Sequence, residues 1–135
     1  MRALSPLAMG AAYAAIMFAF GFALGTVRVV LLAPALGELF ALLTELPVML
    51  SLSWIVSRRL VRNRPALAGQ APRLTMGLFA LALLMAAEFA LAFSAFGLSP
   101  RAYLGGYLSL VGALGLGGQI AFALFPWLQY RTGHA

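Results

Sequence analysis

Residues 7–27, LAMGAAYAAIMFAFGFALGTV, contain no charged side chain and decide the fold class of this chain. A helix needs about 20 apolar residues to cross the hydrocarbon core of a bilayer, and this run has that length. Three further predominantly apolar runs lie at about 35–57, 74–98 and 102–128. The four runs nearly fill the 135 residues. The sequence therefore predicts an all-α membrane bundle of four transmembrane helices in a single domain, 1–135.

The overall composition agrees with a membrane protein. Hydrophobic residues make up 64% of the chain, charged residues make up 9%, and the mean hydropathy is +1.00. A soluble domain of this length cannot bury so much apolar surface, because small domains have a high ratio of surface to volume. We therefore expect the lipid bilayer to be the main partner of the helices.

The arginines predict the orientation of the bundle. Five of the nine lie in the polar connection 58–73, between the second and third predicted helices. Cytoplasmic loops of membrane proteins are enriched in Lys and Arg, so this connection is predicted to be cytoplasmic. With four spans, both termini are then cytoplasmic too, and only Arg28 and Arg101 lie outside. Because topology accounts for the positive charge, we expect no nucleic-acid partner.

The side chains needed for catalysis are largely missing. The chain has no Cys, and its one histidine, His134, lies at the extreme C-terminus. Without a histidine near an acid and a nucleophile, nothing activates a serine, and a metal site would have to consist of carboxylates alone. We therefore expect no enzymatic activity, no catalytic residue, no metal and no cofactor.

The three acidic residues all lie within predicted spans, where charge is costly. Glu45 and Glu88 each lie about ten residues, or roughly 15 Å, from the outer ends of antiparallel helices. Glu38 and Arg28 lie nearer the outer surface, where we expect them to pair. These four residues are the predicted intramembrane polar site, in which Glu45 and Glu88 share a proton. Two other roles stay open, namely hydrogen bonds that fix helix packing and contacts with a partner subunit.

Rows of small residues favour close contacts between helices. The first helix carries Gly21 and Gly25 at GxxxG spacing. The fourth helix carries a ladder at four-residue intervals: Gly105, Ser109, Ala113, Gly117 and Ala121. The spacing leaves open whether the partner helix belongs to the same chain or to another copy. Gln119, the strongest polar side chain of the fourth helix, is expected to bridge between helices.

A short internal repeat relates the two halves of the chain. Residues 7–10 (LAMG) resemble residues 74–77 (LTMG), and residues 22–24 (FAL) recur at 89–91 with the same offset. Duplication of a two-helix hairpin would produce this pattern. Chance similarity between helices rich in Ala and Leu would produce it as well, and both explanations stay open.

Several motifs resemble short hypothetical four-helix membrane proteins of alphaproteobacteria: residues 25–28 (GTVR), Pro34-x-x-Gly37-Glu38, Glu45-Leu46-Pro47, and residues 112–115 (GALG) through Pro126. This resemblance covers most of the chain and implies a bacterial inner-membrane location, but no particular activity. Small multidrug resistance transporters are also four-helix proteins with an intramembrane Glu. Their Glu lies in the first helix, where this chain has none, so that similarity concerns topology alone.

Two functions are compatible with these features. The first is a non-enzymatic membrane protein that forms an oligomer or serves as an accessory subunit of a larger complex, with its glutamates at a polar intramembrane site. The alternative is a small proton- or cation-coupled transporter or channel that uses Glu45 and Glu88.

Overall fold

The structure is a computed structural model that describes residues 5–62, 67–94, 97 and 99–132. The elements in chain order are α1 (Pro6–Val27), a π-helical segment (Arg28–Leu32), α2 (Ala33–Leu36), α3 (Glu38–Val61), α4 (Gln70–Ser94), α5 (Pro100–Gly105), a 3-10 segment (Gly106–Leu108) and α6 (Leu110–Thr132). Four helical stretches in this described part are long and apolar enough to cross a membrane: Pro6–Leu36, Glu38–Val61, Gln70–Ser94 and Leu110–Arg131. The predicted all-α architecture with four such helices is therefore confirmed.

The first helix extends beyond its predicted end at Val27. In the π segment that follows, the N–H of Ala33 donates to the carbonyl of Arg28, five residues back. We attribute the passage of the helix through Pro34 to this wider turn, since a regular α-helical turn would clash with the proline ring. The helix ends at Gly37, whose φ of 86° lies in the left-handed region that glycine adopts without steric cost.

The fourth predicted helix, 102–128, is interrupted in the structure. Ser109 adopts an extended conformation with ψ of 159°, and it separates the short helical stretch before it from α6. Its hydroxyl accepts a hydrogen bond from the N–H of Gly112 at 3.0 Å and so caps the start of α6. Serine readily makes such local bonds in place of helical ones, which explains why the hydropathy pattern missed the break.

The boundaries of the middle two helices also differ from the sequence estimate. α3 begins at Glu38 and ends at Val61, and α4 runs from Gln70 to Ser94. Both helices therefore continue into what the sequence treats as a polar loop. The predicted end of the third helix at residue 98 lies outside the described residues.

Buried side chains concentrate at one end of the bundle, next to the connection between α3 and α4. We call this end the packed half; it contains the start of α1, the end of α3, the start of α4 and the end of α6. Its core consists of Met9, Tyr13, Ala14, Met17, Val61, Leu67, Met76, Ala80, Phe122 and Ala123. The opposite end, formed by the other ends of the same helices together with the π segment, is the hollow half.

Two glycines bring the helices of the packed half close together. A Cβ atom on Gly10 of α1 would lie 2.7 Å from the carbonyl oxygen of Met76 in α4. A Cβ atom on Gly77 of α4 would collide with the carbonyl oxygen of Ala123 in α6. Both glycines end a copy of the repeated four-residue motif, so the repeat coincides with two close helix approaches.

A proline in α6 creates a further tie between helices. Pro126 has no N–H and cannot donate to the carbonyl of Phe122, four residues earlier. The hydroxyl of Tyr13 donates to that carbonyl instead, at 2.7 Å, and the two rings stack with 4.2 Å between centroids. Since a free carbonyl in a bilayer finds no water, this bond satisfies a group that the proline leaves open.

Arg73 is buried in the packed half, with 4% of its surface exposed, although the sequence places it in the polar connection. Its Nε donates to the carbonyl of Leu67 at 2.8 Å, and its Nη1 donates to the carbonyl of Pro126 at 3.3 Å. The guanidinium carbon lies 5.6 Å from the centroid of the Tyr130 ring. Backbone carbonyls and an aromatic face thus surround this cation.

Candidate functional site

The hollow half contains a half-open cavity of about 550 Å³. Its walls come from α1, the π segment, α3, α4 and α6, so all four membrane-length stretches contribute. Met17 and Phe122, two members of the buried core, also line the cavity and close its inner end. The polar side chains on its wall are Thr26, Arg28, Glu45, Ser53, Glu88 and Gln119. The cavity therefore brings together three of the four predicted site residues.

The first polar pair in the cavity joins Arg28 to Glu45. The Nε atom of Arg28 lies 2.6 Å from Oε2 of Glu45, and the two side chains are 30% and 12% exposed. Arg28 begins the π segment, and Glu45 lies two turns into α3. π-helical turns rotate the following residues relative to an α-helix and occur often at functional sites. Here the turn accompanies an ion pair that faces the cavity.

The predicted pairing of Arg28 with Glu38 is wrong. Glu38 is exposed and is the first residue of α3, directly after the break at Gly37. A carboxylate in the first turn interacts favourably with the positive end of the helix dipole. Because a new helix begins after Gly37, Glu38 stabilises the N-terminus of α3. Arg28 pairs instead with Glu45, the next glutamate along the chain.

The second polar pair joins Glu88 of α4 to Gln119 of α6. The Nε2 group of Gln119 donates to both carboxylate oxygens of Glu88, with 2.8 Å between Nε2 and Oε2. This bond is the interhelical bridge that the sequence predicts for Gln119. The Oε1 atom of Gln119 is buried and has no hydrogen-bond partner among the described residues.

Glu45 and Glu88 line the same cavity, as their matched depth predicts, but each has its own partner. Arg28 balances the charge of Glu45. Among the residues that the structure describes, no arginine lies within 4 Å of the Glu88 carboxylate. The proton shared by Glu45 and Glu88 therefore stays a prediction. Of these two carboxylates, Glu88 is the one that no arginine of the described residues balances.

The predicted small-residue rows occupy two different places. Gly21 and Gly25 line the cavity; a Cβ atom on Gly21 would lie 3.5 Å from Cε of Met49, and one on Gly25 would lie 3.9 Å from Nη2 of Arg28. Both positions therefore keep space open beside polar or flexible groups. Four of the five ladder residues of the fourth predicted helix are exposed, and Ala121 is half-buried; the exposed ones are Gly105, Ser109, Ala113 and Gly117. The break at Ser109 also prevents them from forming one continuous helical face.

Sequence reasoning missed the polar groups below the cavity. Ser57 donates from its hydroxyl to Oε1 of the fully buried Gln129 at 2.9 Å, and Nε2 of Gln129 donates to the carbonyl of Trp54 at 2.8 Å. The hydroxyls of Ser53 and Ser57 also interact with that of Tyr13. Since Ser53 also lines the cavity, these polar groups extend from the cavity wall into the packed half. Pro126 is the sequence feature that could have indicated these groups. A proline leaves the carbonyl four residues before it, here that of Phe122, without its helical donor.

Comparison with known proteins adds no assignment to this site. Neither the protein-family models, nor the curated proteins, nor the solved structures gave a match to this chain.

Proposed function

We propose that this protein is a small non-enzymatic membrane protein that takes up a proton or a cation at Glu88 in the hollow half, and so serves as a proton- or cation-coupled transporter or channel. The observation that carries the proposal is the position of Glu88. Its carboxylate lies on the wall of a half-open cavity, while Arg28 is already paired with Glu45. A carboxylate in this position is stabilised either by a proton or by a cation that enters the cavity.

The volume of the cavity argues against a purely structural role. The cavity has a volume of about 550 Å³ and is half-open, so water, lipid or a ligand can enter and fill it. Packing bonds between helices do not require such a space, as the packed half illustrates.

Proton flux into liposomes tests this proposal. Purified protein in liposomes that hold a pH-sensitive dye should collapse an imposed proton gradient faster than protein-free liposomes do. Glu88→Gln keeps the shape of the side chain and should reduce the flux to the protein-free rate. Glu38→Gln removes an exposed glutamate and should leave the flux unchanged. Equal flux in wild type and Glu88→Gln, with both proteins folded, contradicts the proposal.

A location and an orientation belong to the same proposal. We infer a bacterial inner membrane with both termini in the cytoplasm, supported by the arginines at the α3–α4 connection and by the resemblance of the sequence motifs. Reporter fusions at both termini, one active only in the cytoplasm and one only outside it, test the orientation. Activity of the outside reporter at either end would overturn it.

Assembly with another membrane protein, or with further copies of this chain, is the second candidate function. Gly117 on α6 is exposed, and a Cβ atom placed on it would meet no atom within 4 Å. Small exposed residues on a membrane helix allow a second helix to approach closely. Mass measurement in native lipid nanodiscs tests this, because an accessory subunit or oligomer exceeds the mass of one chain. A single-chain mass for a protein that still conducts protons would reject it.

A further inference from the structure

The cavity is too large for its occupant to be a proton or a bare metal ion alone. A water molecule takes up about 30 Å³ of liquid, and pockets for small organic ligands span roughly 300–1,000 Å³. The volume of about 550 Å³ lies within that ligand range. The walls are mostly apolar, and they include the rings of Phe18, Phe22 and Phe122. The main body of a matching ligand is therefore apolar.

The charge of the wall defines one end of that ligand. Arg28 and Glu45 neutralise each other, whereas no arginine of the described chain lies within 4 Å of the Glu88 carboxylate. When Glu88 is ionised, these three residues together carry one negative charge. The charged end of the ligand is therefore cationic.

The hydrogen-bonding groups beside that charge refine its chemistry. An ionised carboxylate can only accept hydrogen bonds, and Gln119 supplies one donor group to Glu88. The Oε1 atom of Gln119 is a second acceptor, and it has no partner among the described residues. The acceptors next to Glu88 thus outnumber the donors. A ligand that brings several N–H groups corrects this imbalance, while a quaternary ammonium group does not.

We propose that the cavity binds an organic cation with an apolar body and a protonated primary amino group, whose ammonium contacts Glu88 and Gln119. This inference rests on the proposed function and adds the chemical class of the ligand. A free hydrophobic amine and the headgroup of phosphatidylethanolamine share this chemistry. The experiment therefore has one arm for each source.

Equilibrium binding of tritiated 2-phenylethylamine to the protein in phosphatidylcholine nanodiscs tests the proposal, with empty nanodiscs as background. Wild type should bind the probe saturably, and Glu88→Gln should weaken binding about tenfold or more, as expected when a charge-assisted bond is lost. Glu38→Gln should bind like wild type. Gly25→Leu, which fills the cavity and leaves Glu88 in place, should also weaken binding. In nanodiscs that contain phosphatidylethanolamine, weaker probe binding would identify the lipid as a competing source.

Two unlabelled competitors complete the test. The trimethylammonium analogue keeps the charge without N–H groups, and 2-phenylethanol keeps the body without the charge; both should compete several-fold less well than the amine. Equal competition by 2-phenylethanol, or wild-type binding by Glu88→Gln, overturns the inference. Proton flux that depends on Glu88, without saturable amine binding in either lipid, rejects the ligand class and leaves the proposed function standing. Flux that does not depend on Glu88 rejects the proposed function itself.

Discussion

The packed half and the hollow half use the same four helices but treat polar groups differently. In the packed half, Arg73 and Gln129 are buried and are bonded to carbonyl or side-chain groups of the protein. In the hollow half, Arg28, Glu45 and Glu88 are only partly buried and face a cavity. Polar groups in lipid need partners wherever they lie. In the packed half these partners lie inside a closely packed core. In the hollow half the pairs between helices border a cavity, which leaves space for an occupant.

The contrast also appears in the glycines. Gly77 in the packed half leaves no room for a side chain, whereas Gly25 in the hollow half lies beside a flexible arginine. Glycines that bring two helix backbones together therefore lie in the packed half, whereas the tight neighbour of Gly118 in the hollow half is the side chain of Leu46. Substitutions in the packed half should lower stability, and substitutions in the hollow half should mainly change what the cavity holds.

The largest effect is expected for Gly77→Ala. The added methyl group would collide with the backbone carbonyl of Ala123, which cannot move aside as a flexible side chain can. Overpacking of a core usually costs about 1–3 kcal/mol, and a backbone collision belongs at or above the upper end. Thermal unfolding in detergent measures the loss.

Gly117→Ala is the matched control for that substitution. It adds the same methyl group to an exposed helical glycine with no atom within 4 Å. Alanine favours a helix over glycine by about 0.5–1 kcal/mol, so this variant should be as stable as wild type or slightly more stable. Equal losses for the two variants would contradict the assignment of close packing to one half.

Arg73→Ala should cost somewhat less, about 2–3 kcal/mol. The substitution removes a buried cation together with its bonds to the carbonyls of Leu67 and Pro126. Hydrogen bonds that involve a charged group contribute about 1.5–3 kcal/mol each. Both bonds are donated by the same guanidinium, so their contributions do not simply add. Arg59→Ala, at an exposed position, should change the free energy of unfolding by less than about 0.5 kcal/mol. Chemical unfolding in mixed micelles compares the two.

Tyr13→Phe should cost about 1–2 kcal/mol, because it leaves the carbonyl of Phe122 without a donor. The double-mutant cycle with Pro126→Ala makes the test specific. Alanine at 126 restores the N–H that can donate to the same carbonyl, so Tyr13→Phe should cost less than about 0.5 kcal/mol in that background. An equal cost in both backgrounds would show that the tyrosine contributes through its other contacts.

Among the substitutions that remove a contact, Arg28→Gln in the hollow half should have the smallest effect on stability. Its ion pair with Glu45 borders the half-open cavity, from which water can reach Glu45 once Arg28 is removed, so the loss should stay near the value for exposed pairs, about 0.2–1 kcal/mol. The same variant should make the cavity more negative and hence strengthen the preference for a cation, because Glu45 then joins Glu88 without a balancing arginine. Unfolding and amine binding, measured on one preparation, separate these effects. A loss of stability as large as that of Arg73→Ala would contradict the division into halves.

Part of the site could be predicted from the sequence, and the reason is physical. Glu45 and Glu88 lie at matched depths because helix rise is constant along each helix, so their meeting at one level follows from counting residues. The partner of Arg28 did not follow from counting. It depends on a π turn and on the break at Gly37, both of which change the direction of side chains without changing the hydropathy pattern.

By itself, the sequence determined the helical class, the number of membrane-length helices and the concentration of acidic residues within them. These properties follow from local composition, because each helix must bury its own backbone in lipid whatever its neighbours are. The tertiary structure decided which carboxylate pairs with an arginine, where Arg73 is buried, and which half of the bundle is closely packed. Those outcomes depend on the rotation and registry of one helix against another, which arise only from contacts between residues far apart in the chain.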